Sequence, residues 1–487
     1  MKVFKNILLN TNDNYLRIAD IYFSTKIKEV RFRSDEINWT EISTKEKRKK
    51  VISQIVKVNY PQNIKVISGN FNLIIPGAID PHVHFDTPGF EFREDFEHAS
   101  TAAAFGGVTT IVDMPCTSIP AVTSQKNFQV KLKEVKERSL VDFAFWGGVS
   151  GTALTDISLL RKNIFDLVDA GVAGFKVYVT SGMKDFTELT YDEIEQVAKI
   201  IMQTDKPMAV HAEDKNLIIN KKKYFQTKGI NSWEAYCSVR NIRVESKAVE
   251  KLVEIAKKTK AKFHIVHLSS KAALDKIRKA QSENIQITTE TCPQYLFFTQ
   301  KDFENDEIRN YLKTAPPVKF EKDKIALWRG LKNGSIKFVT TDHAGTVPSK
   351  EKTSNNFWEV YGGIPGVEHR VPFLFSEGFL KGRLSLEQTV KLLSTNAAEF
   401  YKIDRKGKIE KNYDADFAVI DLWKSEKVKA CNMHSKGKYT PFENVEFKAS
   451  VEKTILRGDI IMDKKGNPEE KTGYGKFIKI KESPQRR

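Results

Sequence analysis

From Leu73 onward one pattern repeats along the chain. A short apolar run rich in β-branched residues is followed by a longer stretch with apolar positions at helical spacing. Eight such runs can be read: Ile74–His84, Val108–Met114, Val141–Trp146, Gly174–Val179, Met208–Glu213, Phe263–Leu268, Ile285–Thr291 and Ile336–Asp342. Tyr191–Met202, Ala248–Lys258 and Asp323–Leu331 carry the helical spacing between them. Eight strand–helix alternations predict an α/β fold, a (β/α)8 TIM barrel. A doubly wound sheet is the other architecture with this alternation. No Gly-rich phosphate fingerprint follows the first run, so dinucleotide binding is not expected.

The flanks read differently. Ile18–Phe23 and Ile27–Phe32 alternate like strands of a small sheet, and Thr44 to Ile55 reads as a short charged helix. After the barrel, Leu384–Phe400 has helical spacing, and Asp416–Ile420 and Val451–Gly458 return to strands. The expected division is 1–72 and 407–487 as one small β-sandwich domain built from both termini, with 73–406 as the barrel. Lys479 to Arg487 is a polar tail, expected to fray.

Candidate chemistry sits where the runs end. The first run closes on Asp80-Pro81-His82-Val83-His84. Residues i and i+2 of a strand share a face, so His82 and His84 can converge as a chelate for Zn²⁺ or a similar ion. Alone, the pair fits equally well two surface histidines in a loop. The other runs change the picture. The fourth carries Lys176, the fifth ends in His211-Ala212-Glu213-Asp214, the sixth in His267-Leu268-Ser269-Ser270 and the eighth in Thr341-Asp342-His343. A barrel places the ends of its strands at one rim. Four of the nine histidines, a lysine and an aspartate are therefore expected together there as metal ligands.

Composition narrows the class. Hydrophobic residues make up 40% and no apolar run approaches the roughly 20 residues of a membrane span, which fits a soluble globular protein. The net charge of +17 invites a nucleic-acid reading, but the lysines are spread over the chain and interleaved with Glu and Asp. Lys45-Glu46-Lys47-Arg48-Lys49-Lys50 and Lys221-Lys222-Lys223 read as solvated helix faces, so no nucleic acid is expected as partner. Cys116, Cys237, Cys292 and Cys431 are too scattered to suggest a disulfide framework. The start of the chain shows no signal peptide, and a cytoplasmic location is expected.

Together these stretches resemble the cyclic-amide branch of the amidohydrolase superfamily: dihydroorotase, allantoinase, hydantoinase and dihydropyrimidinase. The resemblance runs from about Val66 to Asp463. It is carried by Pro76-Gly77-Ala78-Ile79-Asp80-Pro81-His82-Val83-His84, Ala102-Ala103-Ala104-Phe105-Gly106-Gly107-Val108-Thr109-Thr110 and Phe175-Lys176-Val177. His211-Ala212-Glu213, Ala315-Pro316-Pro317-Val318, Thr341-Asp342-His343 and Asp414-Ala415-Asp416-Phe417 complete it.

The resemblance implies two Zn²⁺ ions. His82, His84, a carbamylated Lys176 and Asp342 would hold one; Lys176, His211 and His267 the other. A lysine ammonium has no lone pair to give, but its neutral amine reacts with CO₂ to a carbamate that can bridge two cations. The ions would supply hydroxide near neutral pH. Asp342 would act as ligand and general base, passing a proton to the leaving ring nitrogen. Asp113 is a weaker catalytic candidate that reads equally well as a capped strand end. The implied partner is a small cyclic amide, and the implied assembly a homodimer or homotetramer. Relatives that keep the barrel but lose the ligands serve as assembly proteins; this chain keeps all six.

The ring itself is less legible. Dihydroorotases usually carry an Arg two residues after the second metal histidine, and an Asn after the second strand. This chain has Asp86 and Cys116 there. Asp cannot replace a bidentate Arg, and Arg93 is the candidate replacement. Where hydantoinases usually carry Tyr, Ser and Asn, this chain has Ser181, Ala315 and Gly362. Trp358-Glu359-Val360-Tyr361-Gly362-Gly363-Ile364 resembles a stretch often seen in allantoinases. Allantoinase-like activity is therefore expected first, dihydroorotase second and hydantoinase third.

Overall fold

The computed structural model describes residues 1–466 and 472–481. Parallel strands run in the order Gly147–Gly148, Phe175–Tyr178, Met208–His211, Phe263–Ile265, Ile287–Thr291 and Phe338–Val339. A second set has the order His343–Ala344, Ala78–His84, Val108–Asp113 and Asp142–Phe145. Two kinked segments join the sets. Across Trp146 the third strand changes partner, Trp146 N–H donating to Asp113 and Gly147 N–H to Gly174, both at 2.9 Å. Across 340–342 the eighth strand does the same, leaving Ile287–Thr291 and meeting Ala78–His84. The result is the expected eight-stranded (β/α)8 barrel. Its strands are buried on both faces, which explains their continuous apolar runs.

The run expected as Ile74–His84 is two strands. Leu73–Pro76 pairs with Phe417–Asp421 in the small sheet, and Ala78–His84 opens the barrel. Gly77 is the pivot. Its N–H donates to Asp416 in the small sheet, and an added Cβ would lie 2.1 Å from Thr109 Oγ1. Thus the chain crosses between the two bodies where the Thr109 side chain leaves no room for another at position 77.

The main sheet of the small domain has nine strands among the described residues. Both termini contribute, in the path Asp459–Asp463, Ser450–Leu456, Phe417–Asp421, Leu73–Pro76, Lys2–Asn12, Tyr15–Phe23 and Ile27–Phe32. The sheet curls onto itself. Two strands separate those of Phe23 and Phe417 within it, yet their rings meet edge to face at 5.5 Å. One face encloses Phe4, Ile7, Ile21, Phe23, Phe417 and Ile455. Alternating residues such as Leu8, Leu73, Ile75, Ala418 and Ile420 join the barrel's core.

A buried ion cluster ties the bodies together. Lys406 donates to Asp142 at 2.8 Å and to Asp416, and Arg457 also pairs with Asp142.

The helices follow their periodicity. Tyr191–Ile201, Ile242–Thr259 and Glu321–Lys332 cover the three stretches read as helical, and Lys45–Ser53 is the short charged helix. Leu386–Val390 and Asn396–Phe400 are joined by a wider π turn, Lys391–Thr395. Fraying of the expected tail does not begin at Lys479. Ile480 is buried, its N–H donating to Gly171 at 3.0 Å, because Phe477 and Ile478 anchor the strand along the third barrel strand. Residues 482–487 of that tail lie outside the described residues. Among the described residues no helix is long and apolar enough to cross a membrane.

Candidate metal centre

His82 and His84 end the first barrel strand, and both point to one carboxylate. Their Nε2 atoms lie 3.1 and 3.2 Å from Asp342 Oδ1. The ligand atoms of His82, His84 and Asp342 lie within 4.8 Å of one another, the spacing of donors around one ion. Asp342 reaches them because the bend after the eighth strand puts it at φ 50°. Asp80 holds that bend, accepting Thr341 Oγ1–H at 2.6 Å.

His267 and His211 face each other across the same space. His211 Nδ1 and His267 Nε2 are 3.0 Å apart, and the rings of His82 and His267 are 5.7 Å apart. Lys176, on the strand Phe175–Tyr178, borders the same cavity, 1% exposed, its Nζ 4.9 Å from the centre of the Tyr178 ring. Among the described residues Nζ has no hydrogen-bond or ion-pair partner.

Carboxylates behind the ring fix the imidazoles. Glu290 holds His82 Nδ1, and its other oxygen lies 3.1 Å from His264 Nε2. Glu213 lies 3.0 Å from His211 Nε2 and pairs with Arg240. Such partners set the tautomer and aim the remaining nitrogen. Thr117 Oγ1 lies 3.2 Å from His84 Nδ1, with Cys116 Sγ at 3.9 Å. Sequence reading assigned no role to Glu290 or Thr117. A glutamate in the Thr288-Thr289-Glu290-Thr291 run was the available signal.

The charge balance is that of a cation site. Burial alone would raise the Asp342 carboxyl, but His82, His84 and His267 hold it well below the usual range. Burial works against a charged His84, yet Cys116 and Asp342 raise it to about 10. Burial opposes the Glu213 carboxylate too, and Arg240, then His211, hold it down to about 2. Burial pulls Lys176 down, favouring the neutral amine, and pulls His267 well down. Among the described residues, His267 Nδ1 is buried with no hydrogen-bond partner, and the buried His82 Nε2 has only its ion-pair contact with Asp342. An orphaned ring nitrogen on His267, an anionic carboxylate and an amine that burial shifts toward its neutral form, all in one cavity, fit divalent ions.

The cavity has a volume of about 510 Å³. All six expected ligands border it, and so do Asp86, Ser181, Ala315 and Gly362. Arg93 and Cys116 do not. Arg93 is turned away and held by Glu351, with Nε at 2.8 Å and Nη2 at 2.6 Å from one carboxylate oxygen. It therefore does not replace the missing carboxylate-binding Arg. Cys116 lies behind His84, its Sγ 3.2 Å from Tyr178 Oη. Asp113 is a strand-end anchor: it pairs with the buried Lys131 and accepts Phe85 N–H at 2.8 Å.

A parallel barrel with this rim is the framework of a metal-assisted hydrolase. The chain belongs to the amidohydrolase family, whose model matches residues 73–461. It is 34% identical over 409 residues to an allantoinase of Enterococcus faecalis, covering 82% of this chain and 87% of that protein. It is 36% identical over 393 residues to a dihydroorotase of Methanosphaera stadtmanae, covering 80% and 85%. The solved L-hydantoinase of Arthrobacter aurescens superposes with a TM-score of 0.87 at 28% identity, covering 98% of this chain and 99% of that one.

Proposed function

We propose that the protein opens the ring of a cyclic amide by hydrolysis, with allantoin as its substrate and allantoate as the product. The observation that carries this reading is the convergence of His82, His84, Lys176, His211, His267 and Asp342 on one cavity. His82, His84, Asp342 and a carbamate formed on Lys176 would hold one divalent ion, zinc being the natural choice. Lys176, His211 and His267 would hold the second. Ions there lower the pKa of water and polarise a ring carbonyl.

The residues do the rest. Glu290 and Glu213 keep His82 and His211 in the tautomers that offer a lone pair. Asp342, an anion at the floor of the cavity, takes a proton from the attacking water. It returns that proton to the ring nitrogen as the ring C–N bond breaks, giving a ureido acid. Burial lowers the Lys176 amine, which favours the neutral form that adds CO₂.

Two observations favour allantoin over dihydroorotate. Arg93 is engaged by Glu351, and Asp86 borders the cavity where a carboxylate-binding Arg would stand. Relatives named allantoinase, from Enterococcus and from Saccharomyces cerevisiae at 33% identity, agree with this choice. Dihydroorotate is the second reading, favoured by the similarity to the Methanosphaera protein. An inactive assembly role would not require the complete ligand set.

The test is ring opening by purified protein supplied with zinc and bicarbonate. Allantoin, dihydroorotate, dihydrouracil and a 5-substituted hydantoin are run side by side. Fastest turnover of allantoin is expected. Faster turnover of dihydroorotate makes this a dihydroorotase, and background rates on all four remove the reading.

A further inference from the structure

Lys313 and Lys352 are buried, at 4% and 3% exposure, and neither makes an ion pair among the described residues. A buried ammonium with no compensation is costly. Both find it in the backbone of one segment. Lys313 Nζ donates to the carbonyls of Phe357 and Val360 and reaches that of Trp358 at 3.4 Å. Lys352 Nζ donates to the carbonyls of Tyr361 at 2.7 Å and Gly363 at 3.0 Å. Five carbonyls between residues 357 and 363 are thus gathered onto two side-chain amines.

That segment is a wall of the catalytic cavity, which Trp358, Tyr361, Gly362 and Gly363 border. It is fastened elsewhere as well. Gly363 N–H donates to Lys313 at 3.0 Å, Tyr361 N–H to Glu351 at 2.9 Å, and Tyr439 Oη–H to Gly363 at 2.9 Å. Carbonyls turned toward lysines leave the Trp358 and Tyr361 rings and the glycine backbone to face a bound ring. The ligand cluster forms another part of the same cavity. A substrate carbonyl brought to that cluster therefore has its remaining atoms against walls such as this one.

We propose that Lys313 and Lys352 are positioning residues for the substrate: they hold the Trp358–Gly363 wall where it seats the ring against the ligand cluster, and so govern KM more than the chemical step. The proposal rests on the cyclic-amide reading above. Neither lysine is assigned a proton-transfer role.

The test compares zinc-loaded wild type with Lys313→Met, Lys352→Met and the donor-keeping Lys313→Gln. Expected are a rise in KM of about tenfold or more in the Met variants, a change in kcat within about threefold, and partial recovery in Lys313→Gln. Folded Met variants with KM within about twofold of wild type overturn the proposal. Amide exchange of the wild type gives a second readout, independent of whether the variants fold. Slow exchange at Tyr361 and Gly363 is expected, and exchange at the rate of an exposed chain overturns the pinning. If wild type opens none of the rings, the functional reading falls by itself. Exchange at these amides in Lys313→Gln then decides, faster exchange supporting the pinning and unchanged exchange overturning it.

Discussion

The Nδ1 of His211 lies 3.0 Å from the Nε2 of His267, with both rings buried. Two neutral imidazoles at that distance must share one proton, whereas two ligands of an ion both present lone pairs. His267→Asn is expected to fold normally and to lose about one of two bound zinc ions per chain, with turnover lost. Metal analysis of the purified variant checks this. A full metal complement would remove His267 from the ligand set.

Lys176 sits among apolar strands where a plain ammonium is unfavourable. Lys176→Met is therefore expected to leave the metal-free protein as stable as wild type or more so, while abolishing zinc binding and turnover. Calorimetry and metal analysis separate the two effects. A variant that binds two zinc ions and stays active would eliminate the carbamate.

Asp342→Asn keeps the shape of the side chain and removes its charge. Turnover should fall on the order of 10²–10⁴-fold while circular dichroism is unchanged. Turnover within a few-fold of wild type would show that the proton travels by another route.

Lys131 and Asp113 form a pair with no exposed side-chain surface, linking the helix Gln125–Val135 to the end of the second barrel strand. Lys131→Met strands the carboxylate and should cost about 3–5 kcal/mol in urea unfolding. Adding Asp113→Asn should recover part of that loss. A cost under about 1 kcal/mol for the single variant would mean that Phe85 N–H alone suffices for Asp113.

Acid stability should depend on Asp142. Burial raises its carboxyl, but Lys406 and Arg457 outweigh burial and lower it. A carboxyl lowered in the fold stabilises above its unfolded value of about 4, and that contribution disappears as pH falls toward the folded value. Asp416 shares Lys406, and burial pushes it upward, so the acid limb is assigned to Asp142. Asp142→Asn should flatten the fall of Tm below about pH 4. An equally steep fall would place it on other carboxylates.

Much of the site was legible before any coordinates. Alternation put His82 and His84 on one face, and the position of His211, His267 and Asp342 at run ends placed them at one rim. Lys176 stood out as a charge inside an apolar run. Less was legible where the chain turns on itself. Gly77 interrupts the Ile74–His84 run where the Thr109 side chain fills the space a Cβ would need, a contact invisible to periodicity. The polar look of Lys479 onward concealed the burial of Ile480, whose N–H pairs with Gly171 at the end of the helix Ile157–Ala170.

Periodicity is a local property, so the sequence by itself determined the barrel runs, their succession along the chain and the residues at their ends, but not the break at Gly77. Partner choice is not local. His82 meets Glu290 across 208 residues, and Arg93 meets Glu351 across 258. Lys313 meets the carbonyls of Phe357 and Val360 across 44 and 47 residues, on the wall that Lys352 also holds. These pairings depend on sheet register and on how loops close over the rim. Tertiary structure therefore decided which histidine is oriented by which carboxylate, that Arg93 is withdrawn from the cavity, and that two lysines brace its wall. Burying a charge is tolerable only where packing brings a counter-charge or a carbonyl to it.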